Sequence, residues 1–288
     1  MSGTQSQKRR RVVGHVWTAG KYAFLAAMLL FFLFPLYWLV ATALKTQAEM
    51  FSVPPVWWPE RFALDYFRDI LFRSSFGRLA WNSVVVAGGS TLLSVVVGTM
   101  GAYSLSRFRL PFGLNRHISF WILSTRMFPP IVSIVPLFLI MRSLDLVDTR
   151  LALILAYSVF NLPFVVWMMK GFFDELPREL EESALIDGDT PFGAFRRIIL
   201  PLVRPGLAAT AVFCLIVAWN EFLFALVLTQ TEAALTLPVG IANQVTQYEI
   251  RWGAMSAAGV VAMIPLFVFA LLVQRHLVRG LSYGAVKG

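Results

Sequence analysis

The chain has 288 residues, of which 58% are apolar and 14% charged, with a net charge of +9. A soluble domain carries about 25% charged residues. Disorder requires low hydrophobicity, so it is excluded. A nucleic-acid footprint would explain the basic excess but not 25 Phe and 9 Trp. An integral membrane protein with basic residues on one side satisfies both observations. The single cysteine, Cys214, excludes an intrachain disulfide and a cysteine-based metal cluster.

A hydrocarbon core of about 30 Å takes about 20 helical residues. On that length six spans are predicted, at residues 22–44, 83–105, 118–141, 151–169, 205–228 and 254–272. The first follows a basic leader, Lys8 to Arg11, and ends in Ala41-Thr42-Ala43, which resembles a signal-peptide cleavage site. Its apolar run is longer than an h-region of about 7–15 residues, so it is read as an uncleaved anchor. The third contains Arg126 and the pair Pro129-Pro130. With a cytoplasmic N-terminus, the inside segments hold sixteen Lys and Arg: five before span one, three after span two, five after span four and three after span six. The outside segments hold eight, and Arg126 lies within the bilayer. Both termini are therefore expected in the cytoplasm. The expected division is a cytoplasmic segment 1–21, a permease body 22–276 and a tail 277–288. The outside loop from Lys45 to Trp81, with Trp57-Trp58-Pro59, reads as a folded element at the membrane boundary: either a surface loop or a docking surface.

Catalytic signatures are missing. The three histidines, His15, His117 and His276, all fall in the flanks of spans. There is no H-E-x-x-H and no G-x-S-x-G. Residues 14–22 approach a phosphate-binding loop, but five residues separate Gly14 from Gly20, and Tyr22 replaces the hydroxyl that reaches magnesium. No ATP site, cofactor or metal is expected in this chain.

The cytoplasmic segment 170–201, between spans four and five, is the most informative. Pro177 suits a first helical turn, and Glu179, Glu181 and Glu182 favour its positive end. Gly188 fits the stop. Asp189 or Thr190 suits the cap of a second helix with Pro191 near its start, and Pro201 is expected to break it before span five. Two short helices across the cytoplasmic face look like a handle for another protein.

The run Glu182-Ser183-Ala184-x3-Gly188-x9-Ile198-x-Leu200-Pro201 resembles the E-A-A-x3-G-x9-I-x-L-P signature of bacterial ABC importer permeases. Ser183 departs from the family's alanine but stays small. Asn82-Ser83, Tyr103-x-Leu105-x-Arg107, Pro163, Trp219-Asn220-Glu221 and the terminal Gly284-Ala285-Val286-Lys287-Gly288 extend the likeness to the carbohydrate-uptake branch, close to the second permease of maltose-type systems. The resemblance implies an all-α polytopic membrane protein of the type I permease fold in the bacterial inner membrane. It implies a homologous second permease, two ATPase subunits that bind the ATP and Mg, and an extracytoplasmic solute-binding protein. Glu182, Ser183, Ala184, Leu185, Asp187, Gly188, Leu200 and Pro201 would seat in an ATPase cleft, and Lys287 and Gly288 would touch the ATPase dimer. The solute would be a sugar or sugar-like molecule.

Ionisable groups inside a bilayer are functional candidates by default. Arg126 and Glu221 are read as an ion pair near the translocation path, or Arg126 as a residue that reaches water unaided. Trp219 and Asn220 are candidates to face a sugar, or else pack between helices; Asn161 is a weaker candidate. A stand-alone secondary transporter or channel is the alternative, and it would leave the docking segment unexplained. A membrane-embedded enzyme would need a nucleophile and base at membrane depth, which the histidine positions do not supply.

Overall fold

The computed structural model describes the backbone of residues 3–246 and 248–283 and the side chains of residues 17–246 and 248–271. Helix α1 spans Gly3–Leu44, α2 Phe76–Arg107, α3 Leu114–Ser124, α4 Pro130–Ser143, α5 Arg150–Asp174 and α6 Glu179–Ile186. Helix α7, Pro191–Ala194, runs through a π turn at Phe195–Ile199 into Leu200–Leu202. Then come α8 Arg204–Trp219, α9 Leu223–Leu228, α10 Leu237–Ala242 and α11 Trp252–Tyr283. Two short helical turns, Gln47–Met50 and Asp65–Arg68, interrupt the loop after α1. Helix α1 crosses position 21, and α11 crosses position 276, without a break.

Among the described residues, four stretches are long and apolar enough to cross a bilayer unaided: Trp17–Leu44, Phe76–Arg107, Arg150–Asp174 and Trp252–Leu271. The other two spans are bent, which corrects three sequence expectations. Span three is not one helix over 118–141. Pro111–Met127 and Pro130–Ser143 meet at 97°. Phe128 and Pro129 each precede a proline, which disfavours the helical region, and both are extended at ψ 130° and 132°. Pro201 does not end its helix; it occupies the tolerated first turn of Leu200–Leu202. The bend of 77° falls one residue past that stretch, before Arg204. Span five does not run unbroken to 228. It stops at Trp219 and restarts at Leu223. The Asn220 amide donates to the Ile216 carbonyl (2.8 Å), a local bond that competes with helix continuation.

The chain forms two compact units. The first comprises residues 1–72 and 244–261, the second 73–243 and 262–288. In the second, α2 and α5 pack along their lengths. Gly98 permits the approach, because a Cβ there would lie 2.7 Å from Cγ1 of Val165. The core of this unit joins Ala102 of α2, Val165, Met169 and Phe173 of α5, Phe195 and Ile199 of the π turn and Cys214 of α8.

Candidate functional site

The handle expected between spans four and five is present. Helix α6 carries Glu179, Glu181 and Glu182 in its first turn. Gly188 ends it at φ +87°, in the left-handed region that glycine enters without penalty. The reversal is closed by Gly188 N–H to the Leu185 carbonyl (3.2 Å) and Asp189 N–H to the Ala184 carbonyl (2.9 Å). Of the two cap candidates Thr190 prevails: its hydroxyl accepts the Gly193 N–H at 3.0 Å. Asp189 instead accepts the Thr190 N–H and pairs with Arg197 at 3.4 Å.

The handle has an outer and an inner face. Glu182, Ser183, Leu185, Asp187 and Gly188 are exposed, and Ile186 is 85% exposed. Ala184 is buried, and Leu200 and Pro201 are half-buried. Phe192, on the next helix, is also exposed. Exposed Leu185, Ile186 and Phe192, with the exposed carboxylates of Glu182 and Asp187 on the same helix and turn, form an apolar tip beside acidic groups, suited to a concave protein partner. A groove of about 640 Å³ runs between the helices, lined among others by Leu180, Ser183, Gly188, Thr190 and Ile198.

The inner face is anchored by residues whose role sequence reasoning missed. Nε of Arg107, the last residue of α2, lies 2.6 Å from Oε1 of Glu181. Their side chains are only 7% and 12% exposed. The Tyr103 hydroxyl donates to the other Glu181 oxygen (3.2 Å), and Arg107 also donates to the Leu176 carbonyl (3.2 Å). Ser106 donates to Asp174, and Arg178 donates to the Ser106 carbonyl. The Tyr103 ring sits 4.6 Å from that of Phe195 and 5.6 Å from that of Phe173. The handle is thus tied to the end of α2 as well as to α5 and α8. The Tyr103-x-x-x-Arg107 spacing, one helical turn, was the available signal.

The intramembrane candidates separate. Glu221 sits at the break in span five, where its carboxylate accepts the N–H groups of Phe224 (2.8 Å) and Ala225 (3.2 Å). It caps α9, where a negative charge meets the positive helix end. Among the described residues it forms no ion pair with Arg126, so the expected pair is not made. Arg126 is exposed, donates to the Phe160 carbonyl (3.3 Å) and lies 5.4 Å from the Phe164 ring centroid. Pro163 lacks the N–H that would bond the Val159 carbonyl, so one intrahelical bond is missing at this turn of the continuous α5. A cavity of about 410 Å³ lies beside Arg126, with Ser133, Pro136, Phe160 and Pro163 in its wall. Trp219 is buried; its indole donates to the Ala262 carbonyl (3.2 Å) and meets Phe269 edge-on. Asn161 is buried and donates to the Cys214 carbonyl (3.3 Å), bonding α5 to α8. Asn220 is exposed. Lys287 and Gly288 lie outside the described residues.

At the opposite end of α2, Asn82 is fully buried. Its amide donates to the carbonyls of Glu232 (3.1 Å) and Leu235 (2.8 Å), and its oxygen accepts from Arg150 (2.7 Å). The Leu237 N–H donates to Ser83 (2.8 Å). Asp148 ties the same loop: it accepts from the Thr231 hydroxyl (2.6 Å) and from the N–H groups of Gln230 (2.9 Å) and Thr231 (3.0 Å). Burial alone would raise the Asp148 pKa, but the Thr231 hydroxyl and the two N–H groups outweigh it and hold it below the usual value. A carboxyl depressed in the fold stabilises above its unfolded pKa, about 3.9, and loses that stabilisation as pH falls through the folded value. In Asp148→Asn, the amides of Gln230 and Thr231 should exchange faster than in the parent protein at pH 7. The difference should shrink as pH falls below about 4. Equal exchange at pH 7 would contradict this role.

The family model described as "Binding-protein-dependent transport system inner membrane component" matches residues 94–283. The chain belongs to this family. It is a permease subunit of an ABC importer, an inner membrane component, as the 182–201 signature implied. The trehalose transport system permease protein SugB of Mycobacterium tuberculosis is 40% identical over 258 residues, 89% of this chain and 93% of that protein. The sulfoquinovosyl glycerol transport system permease protein SmoH of Agrobacterium fabrum is 36% identical, over 92% of this chain and 93% of that one. The diacetylchitobiose uptake system permease protein DasC of Streptomyces coelicolor is 34% identical, over 97% of this chain and its whole length. The fold is that of type I importer permeases. A chain of a bacterial ABC transporter that imports the acidic polysaccharide alginate superposes with a TM-score of 0.78 at 22% identity, covering 91% of this chain and 96% of that one.

Proposed function

We propose that this permease forms half of a pathway for a saccharide or glycoside, beside a homologous second permease. Two ATPase subunits bind ATP and Mg; an extracytoplasmic binding protein delivers the solute; this chain has no ATPase site. Both termini are cytoplasmic. The residues Glu182, Ser183, Ala184, Leu185, Asp187 and Gly188 seat in an ATPase cleft, with Leu200 and Pro201 behind them and Lys287 and Gly288 touching the ATPase dimer. The observation that carries the reading is the handle itself, an acidic surface with an exposed Ile186, tied to α2 by the buried Arg107–Glu181 pair. Motion of the ATPase then passes to α2 and α5 as well as along the chain into α8. The solute class rests on the three relatives, whose names are those of a disaccharide, a sugar glycoside and an amino-sugar dimer. In span five both oxygens of Glu221 accept backbone N–H groups at the start of α9, which supports a structural role for this acid.

The test is purification of the complex from its native membrane, followed by ATPase measurement with its binding protein and trehalose, sulfoquinovosyl glycerol or diacetylchitobiose. Co-purifying ATPase subunits and stimulation by a saccharide are expected. A preparation without ATPase subunits would overturn the importer assembly; stimulation only by a non-carbohydrate solute would overturn the solute class.

A further inference from the structure

The unit of residues 1–72 and 244–261 contains a cavity of about 410 Å³ with an unusual wall. Pro35, Trp38, Phe51 and Trp252 make it aromatic and apolar, yet Lys45 lines it too. Lys45 is 2% exposed, and its ammonium lies 4.1 Å over the Trp38 ring. Among the described residues it has no carboxylate partner. The acid nearest in sequence, Glu49, is occupied: it accepts from the Thr46 N–H and hydroxyl and from the Glu60 N–H. A ring face and the carbonyl end of α1 favour a cation there, but they replace only part of the hydration that a buried ammonium loses. Thr42 and Ser256 add hydroxyls to the same wall. An ammonium with two hydroxyls in an aromatic pocket is a site for a phosphate oxygen.

The position selects the source of that phosphate. Lys45 follows directly on α1, whose residues Leu29 to Phe34 are exposed and apolar, a surface for acyl chains. The loop after Lys45 folds back on this end of the helix. The Tyr37 hydroxyl donates to the Trp57 carbonyl (2.6 Å), and the Tyr37 and Trp58 rings stack at 6.2 Å. Trp57 and Trp58 remain exposed. Such aromatic groups collect at headgroup depth. We propose that the cavity holds the phosphodiester of a glycerophospholipid, bound by Lys45 with Thr42 and Ser256, at the end of the first span. In the orientation proposed above, with a cytoplasmic N-terminus, this end of the first span lies in the extracytoplasmic leaflet. The site requires only that α1 crosses a bilayer, so it stands or falls independently of the solute.

The test uses the full complex in nanodiscs containing phosphatidylglycerol, with diacylglycerol as the phosphate-free control, read by native mass spectrometry of retained lipid. The wild type should retain phosphatidylglycerol over diacylglycerol by about tenfold, the scale of one charge-assisted contact. Lys45→Met should abolish that preference and Lys45→Arg should keep it. The double variant Thr42→Val, Ser256→Ala, which keeps volume and charge, should weaken it by roughly threefold, and it tests the site should Lys45→Met fail to insert. Inorganic phosphate should not displace the lipid. Equal retention of diacylglycerol, an unchanged preference in both the Met and the double variants, or displacement by phosphate alone would overturn the proposal.

Discussion

Glu181→Ala should uncouple the importer. The change strands the Arg107 guanidinium, whose side chain is 7% exposed, without its carboxylate. Breaking a buried pair by removing one partner costs about 3–5 kcal/mol, because the remaining charge is uncompensated. The loss is local: Arg107 keeps its bond to the Leu176 carbonyl, and the Phe173–Phe195–Ile199 core is untouched. The protein should insert and assemble, but α6 should no longer move with α2. The number of ATP molecules hydrolysed per solute transported should rise by about tenfold or more, the scale of losing one charge-assisted tie. Arg107→Lys should lie between, because a point charge cannot reproduce the planar fork that reaches both Glu181 and Leu176. A normal ATP-to-solute ratio in Glu181→Ala would show that the tie to α2 carries no motion.

Gly188→Pro and Glu182→Lys should both abolish transport, by different routes. At φ +87° an L residue pays for its Cβ even though nothing lies within 4 Å of that position. The penalty for a left-handed residue is about 1–2 kcal/mol. Proline, with φ fixed near −65°, cannot adopt the turn at all and removes the N–H given to Leu185. The handle then loses its shape. Glu182 is exposed and its side chain has no hydrogen bond or ion pair among the described residues, so its replacement should shift stability by less than about 0.5 kcal/mol. It reverses a charge on the acidic docking surface. ATPase subunits should therefore dissociate from Glu182→Lys at moderate salt while the permease itself melts normally. Retained ATPase binding and uptake in Glu182→Lys would remove this face from the interface.

The contrast between these positions shows how far the sequence alone reaches. Spans are legible because twenty apolar residues leave few alternatives in lipid. The handle is legible because its punctuation is local: Glu in the first turn, Gly188 at the stop, Thr190 and Pro191 at the next start. The breaks are harder. Phe128-Pro129-Pro130 lies in a run that is still apolar enough to pass for one span, and prolines bend some helices and merely sit in others. Pro163 and Pro265 remain inside α5 and α11, whereas Pro201 falls in a first turn. Asn220 and Glu221 bond to the backbone at a helix break and restart, a local role that their composition does not announce. Pairings such as Arg107 with Glu181, 74 positions apart, and Asn82 with Leu235, 153 apart, leave no period in the sequence. They arise only when α2 packs on α6 at one end and on the segment before α10 at the other.

In the proposed assembly the ATPase engages this permease at the tip of α6. The only native cysteine, Cys214, is buried. Ile186→Cys therefore places one accessible thiol on the handle, at a residue 85% exposed in the isolated chain. Maleimide labelling of that thiol, read by mass spectrometry of this subunit, is the direct measurement. Labelling should be fast in the permease alone and strongly protected in the assembled complex, with protection that changes on ATP binding. Equal labelling with and without the ATPase subunits would contradict the account.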